Sequence, residues 1–186
     1  MDWRRRPGTD PADPHGVADL LARACELVST SAVEGTRFLF TTGEMLRVSR
    51  EIEQTSMVSA DVPLYVGVQH GHRLDVQRDV YRSLLAAGVE VIAYGCDGGP
   101  SLRGISWVRV PEDPYALTAS WFLVRGGEAP HALVGFELTG GGERRRWEGF
   151  ETRDGRLIEA VVDHLAATAE GISLDRAEER SGSHHG

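Results

Sequence analysis

At 186 residues the chain has the length of one domain, and a net charge of −8, with 20 arginines and no lysine, argues against binding nucleic acid by charge neutralisation. No apolar run approaches the roughly 20 residues that cross a bilayer, and the opening MDWRRRPGTDPADPHG has no apolar stretch behind its arginines, so neither a membrane span nor a secretory signal is expected. Two cysteines in unrelated segments, Cys25 and Cys96, exclude a disulfide framework and point to a reducing cytoplasm.

Residues 1–12 are rich in Pro, Asp and Arg and read as a disordered arm. Asp13 and Pro14 then form a helix-start pair. Val17, Leu20, Leu21, Ala24, Leu27 and Val28 follow at helical spacing, so an N-terminal helix is expected within residues 13–35. An apolar stripe of that kind could join two copies as a homodimer. Cys25 lies beside the stripe and reads as a packed thiol. Residues 36–40 read as a strand. Thr41 and Glu44 match a capping box ahead of a helix near residues 44–56, with Met45, Leu46, Val48 and Ile52 turned inward.

The stretch from 62 to 95 is the centre of the chain. Residues 62–68 form a short apolar, β-branched and aromatic run, as expected of a strand covered on both faces. A polar loop, residues 69–73, carries two histidines around Gly71. Asp75 is placed to cap a helix bearing Val76, Val80, Leu84 and Leu85, and Gly88 to close it in the left-handed conformation. Residues 89–94 form a second strand. The unit is βαβ, and open α/β sheets bind ligands at the carboxyl ends of such strands.

Residues 96–104, CDGGPSLRG, are too glycine-rich for regular structure. Strands are expected at 105–110 and 121–125, with a helical turn or loop opening at Asp113 and Pro114. Residues 130–138 and 144–151 read as two strands of a hairpin, and Ala132, Val134, Phe136 and Leu138 share one face by alternation. Arg144 to Arg146 open the second strand as edge charges or as phosphate ligands. Asp154 is placed to cap a last helix, with Leu157, Ile158, Val161, Val162 and Leu165 inward and Gly171 at its end. Residues 171–186 read as a disordered tail that includes His184 and His185. The fold class that follows is α/β: a single domain over residues 36–170 whose mixed sheet joins a parallel βαβ part to an antiparallel meander, flanked by helices.

No phosphate-binding loop, dinucleotide fingerprint, nucleophile elbow or Cys-x-x-Cys pair is present, so the sequence names no catalytic residue, no metal site of strong spacing and no cofactor. The richest polar cluster is Gln69, His70, His72 and Asp75. His131 or Cys96 could join the histidines around a metal; alone, such histidines read as exposed loop residues. Cys96 ends a strand, as a reactive thiol or an ordinary loop cysteine. Arg78 and Tyr81, three apart, point to one side of the central helix toward the strand ends. Trp121 reads as a rim aromatic or a pocket wall.

Several segments, in order, carry a resemblance. They are LRVSREIE (46–53), YVGVQHGHRL (65–74), RDVYRSLL (78–85), VEVIAYG (89–95), DPYALTASWFLVRGGEAPHALVGFEL (113–138) and RRWEGFETRDGRLIEAVVDHL (145–165). Together they make the chain resemble the DICT sensory domain, found beside diguanylate cyclases, histidine kinases and DNA-binding regulators. The chain departs from that pattern at Val68, where the family has an aromatic, and at Ser120, where it tends to have Glu. The resemblance implies a signal-input domain rather than an enzyme, signalling through a partner protein in trans. The residues expected to hold its small ligand are Gln69, His70, Arg78, Tyr81 and Trp121. The competing expectation is a small metal-dependent hydrolase or transferase using His70, His72 and Asp75.

Overall fold

The structure is a computed structural model, and it describes residues 35–110, 120–137 and 147–182. In chain order these form β1 (Thr36–Leu39), α1 (Thr42–Val58), β2 (Leu64–Gly67), α2 (His72–Val76), α3 (Arg78–Ala86), β3 (Val91–Gly95), β4 (Ser106–Arg109), β5 (Ser120–Arg125), β6 (His131–Glu137), β7 (Trp147–Thr152) and α4 (Gly155–Gly182). The strands make one seven-stranded sheet in the order β1-β7-β6-β5-β2-β3-β4. β2, β3 and β4 run parallel; every other neighbouring pair is antiparallel. The fold is therefore the α/β class expected, a parallel βαβ part continued by a meander.

Strand alternation sends side chains to two separate cores. On one face Tyr65, Tyr94, Phe122, Val124, Ala132, Val134 and Phe150 pack beneath Leu157, Ile158, Val161 and Leu165 of α4. On the other, Leu64, Val66, Val91, Ala93, Leu123 and Leu133 lie under α1, α2 and α3. With both faces covered, β2 and β3 are apolar throughout, and all four residues of β2 are buried.

Local signals set most helix ends. Thr41 caps α1 through a complete capping box: its hydroxyl accepts the Glu44 amide at 3.2 Å, and the Glu44 carboxylate accepts the Thr41 amide at 3.0 Å. Met45, Val48 and Ile52 face the core as expected, whereas Leu46, a quarter-turn round the helix, is 40% exposed. Gly88 closes α3 at φ +85°, with its amide on the Leu85 carbonyl and the Val89 amide on the Leu84 carbonyl, both at 3.0 Å. This is a Schellman ending, and it uses Val89 in the turn, so β3 starts at Val91. Asp154 caps α4 by accepting the Leu157 amide at 2.9 Å.

The structure corrects two expectations of the helices. Asp75 caps nothing: α2 starts at His72 and breaks at Gln77 before α3 starts, and Val76 is 82% exposed rather than inward. The last helix does not stop at Gly171. It continues to Gly182, because one interior glycine costs only about 1 kcal/mol relative to alanine. The N-terminal arm and helix, the Asp113–Pro114 turn, Arg144 to Arg146, Leu138, His184 and His185 lie outside the described residues.

Candidate functional site at the strand ends

The carboxyl ends of β2 and β3 meet side by side. The Val68 amide donates to the Tyr94 carbonyl at 2.9 Å and the Cys96 amide to the Gln69 carbonyl at 3.1 Å, which extends the parallel pairing one step into the loops. Two loops then cross: residues 68–71 after β2, and the crossover from β3 to β4, residues 96–105. They approach so closely at Gly71 that a Cβ there would lie 2.1 Å from the carbonyl carbon of Gly99. Gly67 is equally constrained, since a Cβ would enter the Phe122 ring at 1.9 Å.

Two carboxylates latch the crossing. Asp97 Oδ1 accepts the Gly71 amide at 3.0 Å and the Gly99 amide at 3.1 Å; the second of these is an Asx turn. Burial pushes its carboxyl up, but the two amides and the nearby His70 and His72 more than offset this, so its pKa is lowered. Asp75 accepts the Ser101 amide at 3.0 Å and the Ser101 hydroxyl at 2.7 Å. That amide and hydroxyl, with Arg78 adding, hold Asp75 below its ordinary value. Arg78 donates to the Ser101 hydroxyl at 2.5 Å and lies 3.4 Å from Asp75. Trp107 backs the loop, its indole N–H donating to the Asp97 carbonyl at 3.0 Å.

Of the residues singled out in the sequence, the fold gathers Gln69, His70 and Arg78 at this end. Gln69 is buried; His70 and Arg78 are about two-fifths exposed. His70 Nδ1 stands 3.7 Å from Asp97, and its ring stacks on His72 with centroids 5.7 Å apart. Tyr81 is elsewhere. It is 1% exposed, enclosed in the core under α1, and burial followed by the negative charge of Glu53 pushes its phenol far up. α3 is amphipathic: Tyr81 and Leu84 face the core, whereas Asp79, Arg82 and Ser83 are exposed, so Tyr81 lies on the inward face and not at the mouth. Trp121 precedes Phe122, the partner of Gly67, and so lies at this same end of the sheet, half-buried and packed against the core on the α1 side.

The metal cluster of the competing expectation does not assemble. Asp75 is engaged by Ser101 and Arg78, and among the described residues the only trio of potential metal ligands close enough together is Glu51, His131 and Glu151, not the two loop histidines. His131 cannot join them, because it begins β6, an upward strand whose first residue lies at the opposite end of the sheet. Cys96 is buried on the α4 side. The residues that organise the loops, Asp97 and Ser101, were not singled out from the sequence. The one local signal was the Asp97-Gly-Gly run, a common Asx-turn pattern.

What remains accessible is a set of donors, His70, His72 and Arg78, set on a seam of hydrogen bonds rather than on packed side chains. Such a seam can bind a polar molecule. No family model and no curated protein sequence matches the chain. Among solved structures, NucT from Helicobacter pylori is similar at 10% identity and a TM-score of 0.49, over 73% of this chain and 96% of that chain. No helix among the described residues is long and apolar enough to cross a membrane.

Proposed function

We propose that the chain is a cytoplasmic signal-input domain of the DICT type, which binds a small polar ligand where the loops after β2 and β3 cross and signals to a protein partner in trans. The observation that carries this reading is the latch. Asp97 and Asp75 hold the 96–105 crossover against the 68–78 segment through hydrogen bonds to Gly71 and Ser101, and His70 and Arg78 stand half-exposed on the same carboxylates. A ligand that draws His70 or Arg78 away from these carboxylates favours a different loop arrangement, and that differential interaction is what a sensor needs. The ordered run of DICT-like segments supports the signalling role.

Native mass spectrometry of the purified protein, with an absorption spectrum of the same sample, tests the reading. A co-purified small molecule identifies the ligand class directly. Ligand binding is expected to weaken at least tenfold in His70→Ala and in Arg78→Ala. Wild-type binding in both variants means that the ligand sits elsewhere.

A further inference from the structure

Far from the latch, at the opposite end of the sheet, α1 covers a buried polar group built from three elements. His131 opens β6 and is 1% exposed; Glu151 lies near the end of β7 and is 6% exposed; Glu51 projects from α1 above them. His131 Nε2 lies 2.8 Å from Glu151 Oε1. Each of the three offers a ligand atom within 4.8 Å of the other two. Around one tetrahedral zinc ion at about 2.1 Å, ligand atoms stand about 3.4 Å apart, so the trio must close by up to about 1.4 Å to reach bonding range.

The imidazole carries a second observation. Its Nδ1 is buried and has no hydrogen-bond partner among the described residues. Nε2 is the nitrogen turned to the carboxylates, so it is the atom of this ring that can meet an ion shared with Glu151. Arginines now neutralise the two carboxylates. Arg37 contacts Glu151 at 2.5 Å, Arg47 pairs with Glu51, and Arg153 lies 3.9 Å from Glu51 and 4.0 Å from Glu151. All three guanidinium side chains are about half exposed; the pairs on Glu51 are exposed on both sides and weak, whereas Glu151 is buried.

We propose that Glu51, His131 and Glu151 bind one divalent transition-metal ion, zinc by the chemistry of the ligands, which clamps α1 to β6 and β7. One imidazole nitrogen with two carboxylates suits zinc, whereas magnesium and calcium prefer all-oxygen sites. The arginines compete with the ion for the same carboxylates, so binding turns Arg37 and Arg153 toward solvent. This site is separate from the ligand latch and stands or falls without it.

The test is a zinc chloride titration by calorimetry of the chelator-treated full chain, carrying His184→Ala and His185→Ala to remove the tail histidines. One zinc per chain is expected, with a raised melting temperature and no displacement by magnesium in millimolar excess. Glu51→Gln, on the half-exposed side of α1, is expected to fold and to bind zinc at least tenfold more weakly. Arg153→Ala is expected to bind severalfold more tightly, which a purely structural ion-pair network does not produce. Absence of bound zinc, or equal affinity in Glu51→Gln and its parent, overturns the proposal.

Discussion

Asp97 and Gly71 join the two halves of the central crossover: the carboxylate of the one accepts the amide of the other at 3.0 Å, across 26 residues of sequence. The same oxygen holds the Gly99 amide at 3.1 Å, so one side chain fixes both loops. Asp97→Ala removes both bonds and leaves two partly buried amides without their acceptor. The expected cost is about 1–2 kcal/mol, since hydrogen bonds to a charged group exceed the neutral average but this carboxylate is two-fifths exposed. Hydrogen exchange is expected to accelerate at Gly71 and Gly99 while the β2 and β3 amides keep wild-type protection. Uniform acceleration across the sheet would mean that Asp97 supports the whole fold and not the loops.

The latch is also expected to weaken in acid. Asp97 and Asp75 both have folded pKa values below the ordinary 3.8, through the amide and side-chain contacts already described. A carboxylate depressed on folding contributes stability that is complete above its unfolded pKa and disappears as pH falls through the folded value. Stability is therefore expected to decline below about pH 4. Asp97→Asn, which does not titrate, is expected to fall less steeply over the same range. Melting temperatures of the two proteins between pH 5 and 2.5 measure this directly, and parallel curves would exclude Asp97 as a contributor.

How much of this was legible in the sequence depended on the range of each interaction. The Thr41–Glu44 capping box, the Gly88 turn and the Asp154 cap each operate within a few residues, and each is present. The alternation that put Ala132 and Val134 on one face is equally local. Asp75 reads as a cap because its neighbourhood looks like a helix start; its partner, Ser101, is 26 residues away and is set by the tertiary crossing of two loops. Tyr81 was misplaced for a related reason. Helical spacing correctly puts it one turn from Arg78, but does not show that Tyr81 shares the inward face with Leu84 under α1. The pairing of His131 with Glu151 follows from the register of β6 on β7, which places Ala132 opposite Thr152, and no local pattern encodes that register.

On the other face of the sheet, a buried polar contact anchors α4. The Tyr94 hydroxyl donates to the Leu165 carbonyl at 2.6 Å, and Tyr94 is fully buried against Phe122 with ring centroids 5.9 Å apart. Tyr94→Phe keeps the ring packing and deletes only the hydroxyl. The expected loss is about 1 kcal/mol, or about 2–4 °C in melting temperature for a domain of this size. A larger fall would mean that the substitution also disturbs the ring contact, which a Tyr94→Leu comparison would resolve.

Two glycine substitutions separate contact from conformation at the loop crossing. Gly71 has φ −58° and ψ −31°, an ordinary helical conformation, so alanine there suffers no backbone strain. The obstacle is the Gly99–Pro100 backbone: the Gly99 carbonyl carbon and oxygen would lie 2.1 and 2.4 Å, and the Pro100 nitrogen 2.4 Å, from the new Cβ. Gly43, in the first turn of α1, has nothing within 4 Å of the same position. Gly43→Ala is therefore expected to stabilise by about 0.5–1 kcal/mol through helix propensity, whereas Gly71→Ala is expected to destabilise by about 1–3 kcal/mol as the loops are forced apart. Denaturant midpoints with unchanged m-values give both numbers. Because the backbone cost is absent at both sites, the difference between them measures the closeness of the two loops, and equal effects would show that the loops do not cross at Gly71. If the ligand occupies this seam, Gly71→Ala also weakens its binding and Gly43→Ala does not.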